Sequence, residues 1–380
     1  MFRLRNGVQP YAWGSRTSIA DLLGVEPSGG PQAELWIGAH PALPSEAETE
    51  PGRWVPLGEL IERDPQAMIG SGRASLGFLM KVMAVAAPLS VQLHPNESQA
   101  EEGFDREERT GMSVGGPNRS YRDRNAKPEV LCALTRFDAL CGLRPAEEAA
   151  EDLRTWGGPR LRVWADALTE RGDAGWTRTI GDLLTLPVAE QRLLVDEIAS
   201  GPAPAWLAHI AHDYPVDAGV IVAAVLRRYE LEPGEALFLE PGVLHAYLEG
   251  VGIEVLGESD NVVRGGLTPK HVDVPELLRL MRPVTTPVAV LRPSSIEGIR
   301  RYEFDAPFSL LSIEIVPERM TRVSTGGPAV ALCIRGSVAL RAGTATMELQ
   351  RGESVFVPRN DGPIDAGGSG LLIWAGAAGT

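Results

Sequence analysis

The sequence contains few cysteines and no segment that is long and apolar enough to cross a membrane. Cys132, Cys141 and Cys333 form no C-x-x-C pair, and their odd number argues against a disulfide framework. No apolar run approaches the ~20 residues that a membrane-spanning helix needs. The first residues also lack the apolar segment of a signal peptide. We therefore expect a cytoplasmic protein without a membrane partner.

Positive charge is also scarce. The 380 residues include 50 Asp and Glu against 36 Lys and Arg, for a formal net charge of -14. Nonspecific binding to nucleic acid needs a basic surface, so we expect no nucleic-acid partner. A small anionic substrate is compatible with this charge if its pocket gathers Arg and Lys side chains locally. The chain length favours two or three domains with ample core.

A Q-x-H motif follows the apolar run 78–87, which predicts a buried strand. Side chains alternate between faces along an extended chain, so Ser90, Gln92 and His94 share one face, opposite the apolar residues between them. An amide oxygen and an imidazole in this arrangement make half of a metal site. For an isolated Q-x-H motif, the commoner interpretation is a hydrogen-bonded polar pair beside a proline turn.

A K-P-E motif begins another predicted strand at residue 127. Pro128 favours an extended conformation for Lys127, and Lys127 and Glu129 lie two residues apart on one face. The pair is either a surface salt bridge, which contributes little to stability, or part of the metal site. In the second interpretation Glu129 is a third ligand and Lys127 is a cation beside the metal.

The other histidines lack this kind of support. His40 follows a predicted strand without a second ligand at strand spacing, so we interpret it as a structural, hydrogen-bonded histidine. His209 and His212 lie three apart on a predicted helix without a further ligand motif, which favours a solvated face. The arginine-rich segment 110–125 predicts either a solvated loop or a mobile lid near the site.

The hydrophobic pattern of the sequence alternates between stretches typical of strands and stretches typical of helices. Helices are predicted at 97–109, 146–156, 188–198, 203–212 and 218–229, and the last of these is apolar enough to pack on a sheet. From residue 231 the pattern is turn, strand, turn, strand, and His245 follows the tight Pro-Gly turn. Alternation in the next strand places Glu254 opposite Ile253 and Val255. Asp260, Arg264 and Lys270 then supply a charged rim, with two glycines after Arg264.

The C-terminal part predicts a second β domain. Residues 283–293 carry three prolines and suggest a linker. Strands are predicted at 308–316, 329–334, 338–342, 354–358 and 370–375. Residues 352–357 weakly echo 234–239, and the ungapped comparison sets Pro363 opposite His245. We therefore expect a degenerate copy of the first β domain that lacks the metal.

The segment with Gly242 and His245 resembles a cupin signature, which belongs to a small jelly-roll barrel. Six segments together resemble type I mannose-6-phosphate isomerases, in order and at sensible spacing: 9–15, 34–41, 87–95, 121–129, 242–247 and 259–270. The resemblance implies a mainly β fold with a helical insertion. The implied domains are a cupin jelly-roll catalytic domain in two parts (1–145 and 216–285), an α-helical domain (146–215) and a degenerate jelly-roll-like C-terminal domain (286–380).

The resemblance also implies the ligands and a cofactor. The zinc ligands of the family fall on Gln92, His94, Glu129 and His245. Two imidazoles, a carboxylate and an amide oxygen suit Zn²⁺ and leave room for water or a substrate oxygen. One departure concerns the residue before the K-P-E lysine. The family often has histidine there, whereas this chain has Ala126. Any mechanism that gives this histidine a required role in proton transfer is therefore in doubt for this protein.

The implied reaction is the interconversion of mannose 6-phosphate and fructose 6-phosphate through an enediolate, by a monomer acting on a phosphosugar. Glu254 is the first candidate for the base, with Lys127 or a water held by the metal as the rival. Arg264 is expected either to stabilise the enediolate or to meet the phosphate, and Asp260 matches an acidic position near the substrate. These four residues are the implied catalytic set.

Three further residues are candidates for substrate binding. Trp13 is expected to form a wall of the pocket. Lys81 and Ser90 either contribute to phosphate binding or occupy structural positions at the ends of buried strands.

Two other classes of function compete with the isomerase. The first is a non-catalytic, metal-containing cupin that binds sugar, and the presence of Lys127, Glu254 and Arg264 speaks against it. The second is a metal-dependent cupin oxygenase, which usually needs a more histidine-rich set of ligands.

Overall fold

The computed structural model of the chain describes residues 1–324 and 326–377 and contains both strands and helices. The strands in these residues are β1 (Phe2–Arg5), β2 (Gly7–Gln9), β3 (Glu34–Ile37), β4 (Glu46–Glu50), β5 (Arg53–Pro56), β6 (Phe78–Val85), β7 (Gln92–Leu93), β8 (Glu129–Ala133), β9 (Phe137–Leu143), β10 (Leu226–Leu231), β11 (Ala236–Leu239), β12 (His245–Gly257), β13 (Val263–Arg264), β14 (Val290–Leu291), β15 (Ile299–Tyr302), β16 (Phe308–Ile315), β17 (Thr321–Val323), β18 (Ala329–Ala342), β19 (Ala345–Gln350), β20 (Ser354–Val357) and β21 (Ile364–Ala377).

The α-helices concentrate in the middle of the chain. They are α1 (Ser18–Leu23), α2 (Leu57–Arg63), α3 (Pro65–Met68), α4 (Glu97–Arg109), α5 (Ala146–Trp156), α6 (Pro159–Arg171), α7 (Trp176–Leu184), α8 (Val188–Ser200), α9 (Ala205–Asp213), α10 (Gly219–Val225) and α11 (Val274–Leu280). Short 3₁₀ turns occur at Asp173–Gly175 and Arg359–Asp361. Among the described residues, no helix has both the length and the apolar character needed to cross a membrane.

The strands form two antiparallel sheets. An 11-stranded sheet has the order β14-β11-β8-β12-β6-β3-β2, with β7, β9, β10 and β13 off this path. A 10-stranded sheet has the order β15-β16-β21-β18-β20-β1-β4-β5, with β17 and β19 off it. Both orders are open paths over the described part of the chain. Strand β1 pairs with β20, so N-terminal strands extend the sheet of the C-terminal ones.

The apolar faces of the two sheets pack together and thereby orient the polar face of the first one. Met80 and Val82 of β6 and Ile253 of β12 share one buried core with residues of the C-terminal sheet. Alternation along the strands turns Lys81 and Glu254 to the opposite face. The face of the 11-stranded sheet that carries Met80, Val82 and Ile253 is buried against the second sheet. Lys81 and Glu254 therefore lie on the other face, called the inner face below, where the candidate site is built.

The helices cover another side of the 11-stranded sheet. Val91 and Leu93, which flank Gln92, are fully buried in a core formed with the helical region. The expected core-facing positions of Val91 and Leu93 are therefore confirmed. The helices predicted at 97–109 and 146–156 are also confirmed, as α4 and α5.

Two elements differ from the sequence-based expectations. The helix predicted at 218–229 ends at Val225, and β10 begins at Leu226, because the alternating burial of Leu226–Leu231 fits pairing with β9. The strands predicted at 329–334 and 338–342 form one strand, β18, whose register shifts between Cys333 and Arg335. In both cases pairing with distant strands outweighs the local pattern.

Candidate active site

Three ligand-type side chains from three segments converge on the inner face of the 11-stranded sheet. His94, Glu129 and His245 each offer one atom within 4.8 Å of the others, and all three are buried. His94 Nε2 lies 3.3 Å from Glu129 Oε1, and His245 Nε2 lies 3.6 Å from Glu129 Oε2. Glu129 begins β8 and His245 begins β12, and these two strands pair with each other.

Backbone carbonyls orient both imidazoles. His94 Nδ1 donates to the carbonyl oxygen of Asn261 at 2.7 Å, and His245 Nδ1 donates to that of Val243 at 3.0 Å. A carbonyl oxygen can only accept, so the proton of each neutral ring lies on Nδ1. The lone pair of each Nε2 therefore points toward Glu129. This is the arrangement that orients metal-ligating histidines in proteins.

The convergent atoms fit a metal ion. His94 Nε2, His245 Nε2 and Glu129 Oε2 are buried and form no hydrogen bond with the described residues. Buried polar atoms are nearly always hydrogen-bonded, so three partnerless atoms aimed at one point call for an explanation. Two imidazole nitrogens and a carboxylate oxygen are a typical donor set for Zn²⁺. The cluster is thus able to hold this ion.

Gln92 lies beside this cluster. Its backbone pairs with His245 on one side and with Arg264 on the other. Directly paired residues of antiparallel strands present their side chains on the same face, so the amide of Gln92 shares the face of His245. Ser90 Oγ donates to Gln92 Oε1 at 3.3 Å, which makes Ser90 a neighbour of the candidate ligand.

The electrostatics of the cluster keep its ligands in the forms that bind a metal. Burial lowers the pKa of His94, and burial together with the nearby His94 lowers the pKa of His245 to about 4. Burial alone would raise the pKa of Glu129, but His94 and Lys127 hold it well below its usual value. Lys127 is buried, and its Nζ lies 3.0 Å from Glu129 Oε1. The expected shared face of Lys127 and Glu129 is therefore confirmed.

A second buried charged cluster lies on the same face. Lys81 Nζ lies 3.3 Å from Glu34 Oε2 and 3.7 Å from Glu254 Oε2. It also lies 4.9 Å from the centre of the Trp36 ring, whose Nε1 donates to Glu34 at 2.6 Å. Glu34 and Glu254 raise the pKa of Lys81 against the opposing effect of burial. The charge of Lys81 is thus already compensated inside the protein.

Glu254 occupies an environment that destabilises its charge. It is 4% exposed, and it accepts a hydrogen bond of 2.9 Å from Tyr247 Oη. Burial, and next the negative charge of Glu129, raise the pKa of Glu254 to about 7, while Lys81 and Lys127 act in the opposite direction. A carboxyl group with this pKa can accept and return a proton near neutral pH.

Three cations meet at the rim of the site. Arg264 is the pairing neighbour of Gln92, and its pKa is lowered by burial and by Arg122. The pKa of Lys270 is lowered by burial, by Arg264 and by Arg122. The third cation is Arg122. Among the described residues, the side chains of Arg264, Lys270 and Arg122 form neither an ion pair nor a side-chain hydrogen bond. In a protein of net charge -14, a group of cations without direct ion pairs is a local exception.

Acidic and aromatic side chains complete the surroundings. Asp260 lies 3.4 Å from His40 Nε2, and this contact, more than the opposing effect of burial, lowers the pKa of Asp260. His40 is buried against the Trp36 ring, in keeping with a structural role. Trp13 stacks on Tyr11 at 5.9 Å between ring centres, and it also packs on a buried core.

The 110–125 segment contains no helix or strand, but side chains hold it in place. The Arg119 side chain donates to the carbonyl oxygens of Tyr121 and Met112 and to the Glu108 carboxylate. Tyr121 is fully buried against α4. The prediction of a mobile lid stays a prediction, and the contacts describe an anchored segment whose last residues reach the site.

Sequence reasoning missed several residues of this site. Glu34, Tyr247, Arg122 and Asn261 lie outside the predicted set, although each belongs to a segment that carries a predicted motif. For Glu34 a signal existed, since it lies two residues before Trp36 on a predicted strand and so shares its face. No local pattern links Arg122 to Lys270 or Asn261 to His94.

The site combines a buried His–Glu–His cluster on an antiparallel sheet, a carboxyl group whose pKa is raised to about 7, and a rim of cations. This combination is typical of a metal-dependent enzyme. Comparisons with known proteins agree with this class. Residues 1–146 match the family model described as phosphomannose isomerase type I, catalytic domain.

Relatives cover nearly the whole chain. The mannose-6-phosphate isomerase of Escherichia coli (strain K12) is 34% identical over 98% of this chain and 98% of its own length. That of Macaca fascicularis is 31% identical over 95% of this chain and 94% of its own. A crystal structure of mannose 6-phosphate isomerase in the holo, zinc-bound form has 31% identity and a TM-score of 0.91, with 99% of each chain covered. The chain belongs to the type I phosphomannose isomerase family.

Proposed function

We propose that this protein is a zinc-dependent aldose–ketose isomerase that interconverts mannose 6-phosphate and fructose 6-phosphate by proton transfer through an enediolate. The observation that carries the proposal is the set of three buried, partnerless ligand atoms in a chain of this family. A phosphosugar is the substrate class that the rim of cations suits.

We assign the metal to His94, Glu129, His245 and Gln92. The first three supply the atoms that lack partners, and Gln92 lies beside His245 on the same face. When bound, zinc supplies a Lewis acid that stabilises negative charge on the oxygens of the substrate. The tautomers of both histidines favour this role, because their Nδ1 protons are already committed to carbonyl groups.

We assign the proton transfer to Glu254. In the aldose the base removes the proton from C2, the pair of electrons moves into the C1–C2 bond, and negative charge develops on the oxygens. The protonated Glu254 then returns the proton to C1, and a proton moves from the C2 hydroxyl to the C1 oxygen to complete the ketose. A pKa of about 7 supports both halves of this exchange.

The two buried lysines take different roles. Lys127 contacts Glu129 at 3.0 Å, so it is a cation beside the metal that stabilises the developing enediolate charge. Lys81 lies between Glu34 and Glu254, and we therefore assign it to orienting Glu254 rather than to the phosphate. The positive charge of this lysine is already balanced by two carboxylates, so it attracts a further anion only weakly.

We assign the phosphate to Arg264, Arg122 and Lys270. The lack of a direct ion pair to any of the three, among the described residues, supports this assignment, because like charges are brought together at a cost unless an anion joins them. Guanidinium groups bind phosphate oxygens in pairs, and an ammonium adds a point charge. Arg264 thus meets the phosphate in this proposal.

The remaining predicted residues surround the substrate. Trp13, stacked on Tyr11, forms a wall of the pocket. Ser90 holds the amide of Gln92 rather than the phosphate. Asp260, paired with His40, gives the rim an acidic side that can accept hydrogen bonds from sugar hydroxyls.

For the architecture we propose a cupin jelly-roll catalytic domain (1–145 and 216–285), a helical insertion (146–215) and a degenerate jelly-roll C-terminal domain (286–380). The N-terminal strands β1, β4 and β5 add to the sheet of the last domain. We propose a cytoplasmic monomer without a nucleic-acid or membrane partner.

The experiment that tests the function is turnover of mannose 6-phosphate by protein stripped with a chelator and then restored with zinc, beside the Glu129→Ala variant. We expect activity to vanish on stripping and to return with zinc in the native protein only. Absence of turnover in folded, zinc-loaded protein would favour a non-catalytic, sugar-binding module. Turnover that persists after metal analysis finds no zinc would contradict the role of the metal.

A further inference from the structure

Asn261 joins parts of the site that are far apart in sequence. The residue is fully buried, and its carbonyl oxygen accepts the hydrogen bond from His94 Nδ1. Its side chain contacts a different part of the chain, at residues 122–125. One residue thus contacts both a candidate zinc ligand and the end of the 110–125 segment.

The side chain of Asn261 uses its full hydrogen-bonding capacity on that segment. Its Oδ1 accepts from the backbone nitrogens of Arg122 at 2.7 Å and Asp123 at 3.2 Å. Its Nδ2 donates to the carbonyl oxygens of Asp123 and Asn125, both at 3.0 Å. A buried amide with all these bonds has one orientation, so it holds residues 122–125 against itself.

Asp123 reinforces the same junction from the other side. Its Oδ2 accepts from the backbone nitrogen of Asp260 at 2.8 Å, and its Oδ1 accepts from Ser259 Oγ at 2.8 Å. Residues 259–261 and 122–125 are therefore fastened to each other in both directions. The chain leaves this junction directly into Lys127 and Glu129.

We propose that Asn261 is a positioning residue that sets the affinity of the zinc site through His94 and places Arg122 for the phosphate. This inference rests on the proposed zinc site and phosphate pocket. The carbonyl of Asn261 can orient His94 only if residue 261 stays in position, and the side-chain bonds to residues 122–125 keep it there. The same bonds fix the backbone from which Arg122 reaches the rim.

The test measures zinc binding apart from turnover. Zinc affinity is measured by competition with a chromogenic chelator for the native protein, for Asn261→Ala and for Asn125→Ala. We expect Asn261→Ala to bind zinc about tenfold more weakly, the effect of losing support behind a metal ligand. Asn125 is the matched control. Within the described part of the chain its exposed side chain donates only to the Glu258 carbonyl oxygen, so its removal should leave zinc affinity unchanged.

The outcomes separate this inference from the proposed function. If the native protein itself fails to bind zinc, the proposed metal site is wrong. If the native protein binds zinc and Asn261→Ala binds it equally well, the inference about Asn261 is wrong. If Asn261→Ala does not fold, Asp123→Ala replaces it as the test, because Asp123 is only half-buried and holds the same two segments together. Native zinc affinity in Asp123→Ala would then overturn the inference.

A double-mutant cycle tests the second part of the proposal, that Asn261 places Arg122 for the phosphate. Inhibition by inorganic phosphate is measured for Asn261→Ala, Arg122→Ala and the double variant. If Asn261 acts through Arg122, the double variant should bind phosphate no more weakly than Arg122→Ala alone. Losses that add would show that Asn261 does not place Arg122. A general structural defect would lower the melting temperature without making the two losses overlap.

Discussion

Tyr247 and Glu254 belong to one strand, yet the Tyr247 hydroxyl donates a hydrogen bond of 2.9 Å to the Glu254 carboxylate. An ordinary strand would separate residues seven apart by ~23 Å. Strand β12 instead changes partners, pairing with β7 and β9 at its start and with β6 and β8 beyond a register shift after Tyr247. This bend brings His245 and Glu254 to the same site from opposite ends of one strand.

The first prediction concerns Glu254 as the base. Glu254→Gln preserves size and an acceptor for Tyr247 but cannot take a proton. We expect kcat to fall about 10²–10⁴-fold, the usual contribution of a positioned base. KM and zinc content should be unchanged, because Glu254 is not in the ligand set. Near-native kcat in this variant would transfer the role of the base to Lys127 or to a water held by the metal.

The second prediction concerns the pH dependence of kcat/KM. Only deprotonated Glu254 can accept the C2 proton, so kcat/KM should rise with pH through an apparent pKa at or below about 7, since bound zinc favours the carboxylate. Lys81→Met removes a cation that stabilises this carboxylate and should move the rise to higher pH. An unmoved profile would mean that Lys81 does not act on the titrating group.

The third prediction concerns the phosphate. Arg122→Ala and Lys270→Ala should each raise KM for mannose 6-phosphate about 10–100-fold, as expected for a lost hydrogen bond to a charged group. Inorganic phosphate should inhibit both variants less. Arg124→Ala is the matched control, because Arg124 pairs with Asp105. Equal effects from all three arginine and lysine variants would indicate a general loss of charge rather than a phosphate pocket.

The fourth prediction concerns the anchoring of the 110–125 segment. A Cβ at Gly103 of α4 would lie 2.2–2.4 Å from the Tyr121 ring, whereas one at Gly115 would meet nothing within 4 Å. Gly103→Ala should lower the free energy of unfolding by about 1–3 kcal/mol, the usual cost of overpacking. Gly115→Ala should leave it unchanged. Denaturant unfolding of both variants distinguishes these outcomes.

The fifth prediction concerns the stability of the metal-free protein in acid. The pKa of His245 is lowered to about 4 in the folded chain, below that of an exposed imidazole, ~6.5. Between these values the unfolded chain binds more protons than the folded one, so stability should decrease as pH falls from ~6.5 towards 4. His245→Gln should reduce this slope in pH-dependent denaturant titrations. A slope equal to that of the native protein would contradict the lowered pKa.

Much of the site follows from strand periodicity. The spacing of Gln92 and His94, and of Lys127 and Glu129, predicts shared faces. The contact between Lys127 and Glu129 confirms the second pair, and the burial of Val91 confirms the core-facing side of the first segment. Family resemblance adds His245, because no local pattern connects a residue after a distant turn to the Q-x-H motif. The helix predicted at 218–229 was wrong beyond Val225, because pairing of β10 with β9 overrides the local helical pattern.

The sequence by itself determined which side chains share a face, since alternation along a strand and the 3.6-residue period of a helix are local properties of the chain. Only the tertiary structure decided which faces meet. Lys81 lies between Glu34 and Glu254 because β3, β6 and β12 are neighbours in the sheet. Asn261 reaches residues 122–125 because two distant loops pack together. These contacts depend on the burial of apolar faces across the whole chain, which no short stretch of sequence encodes.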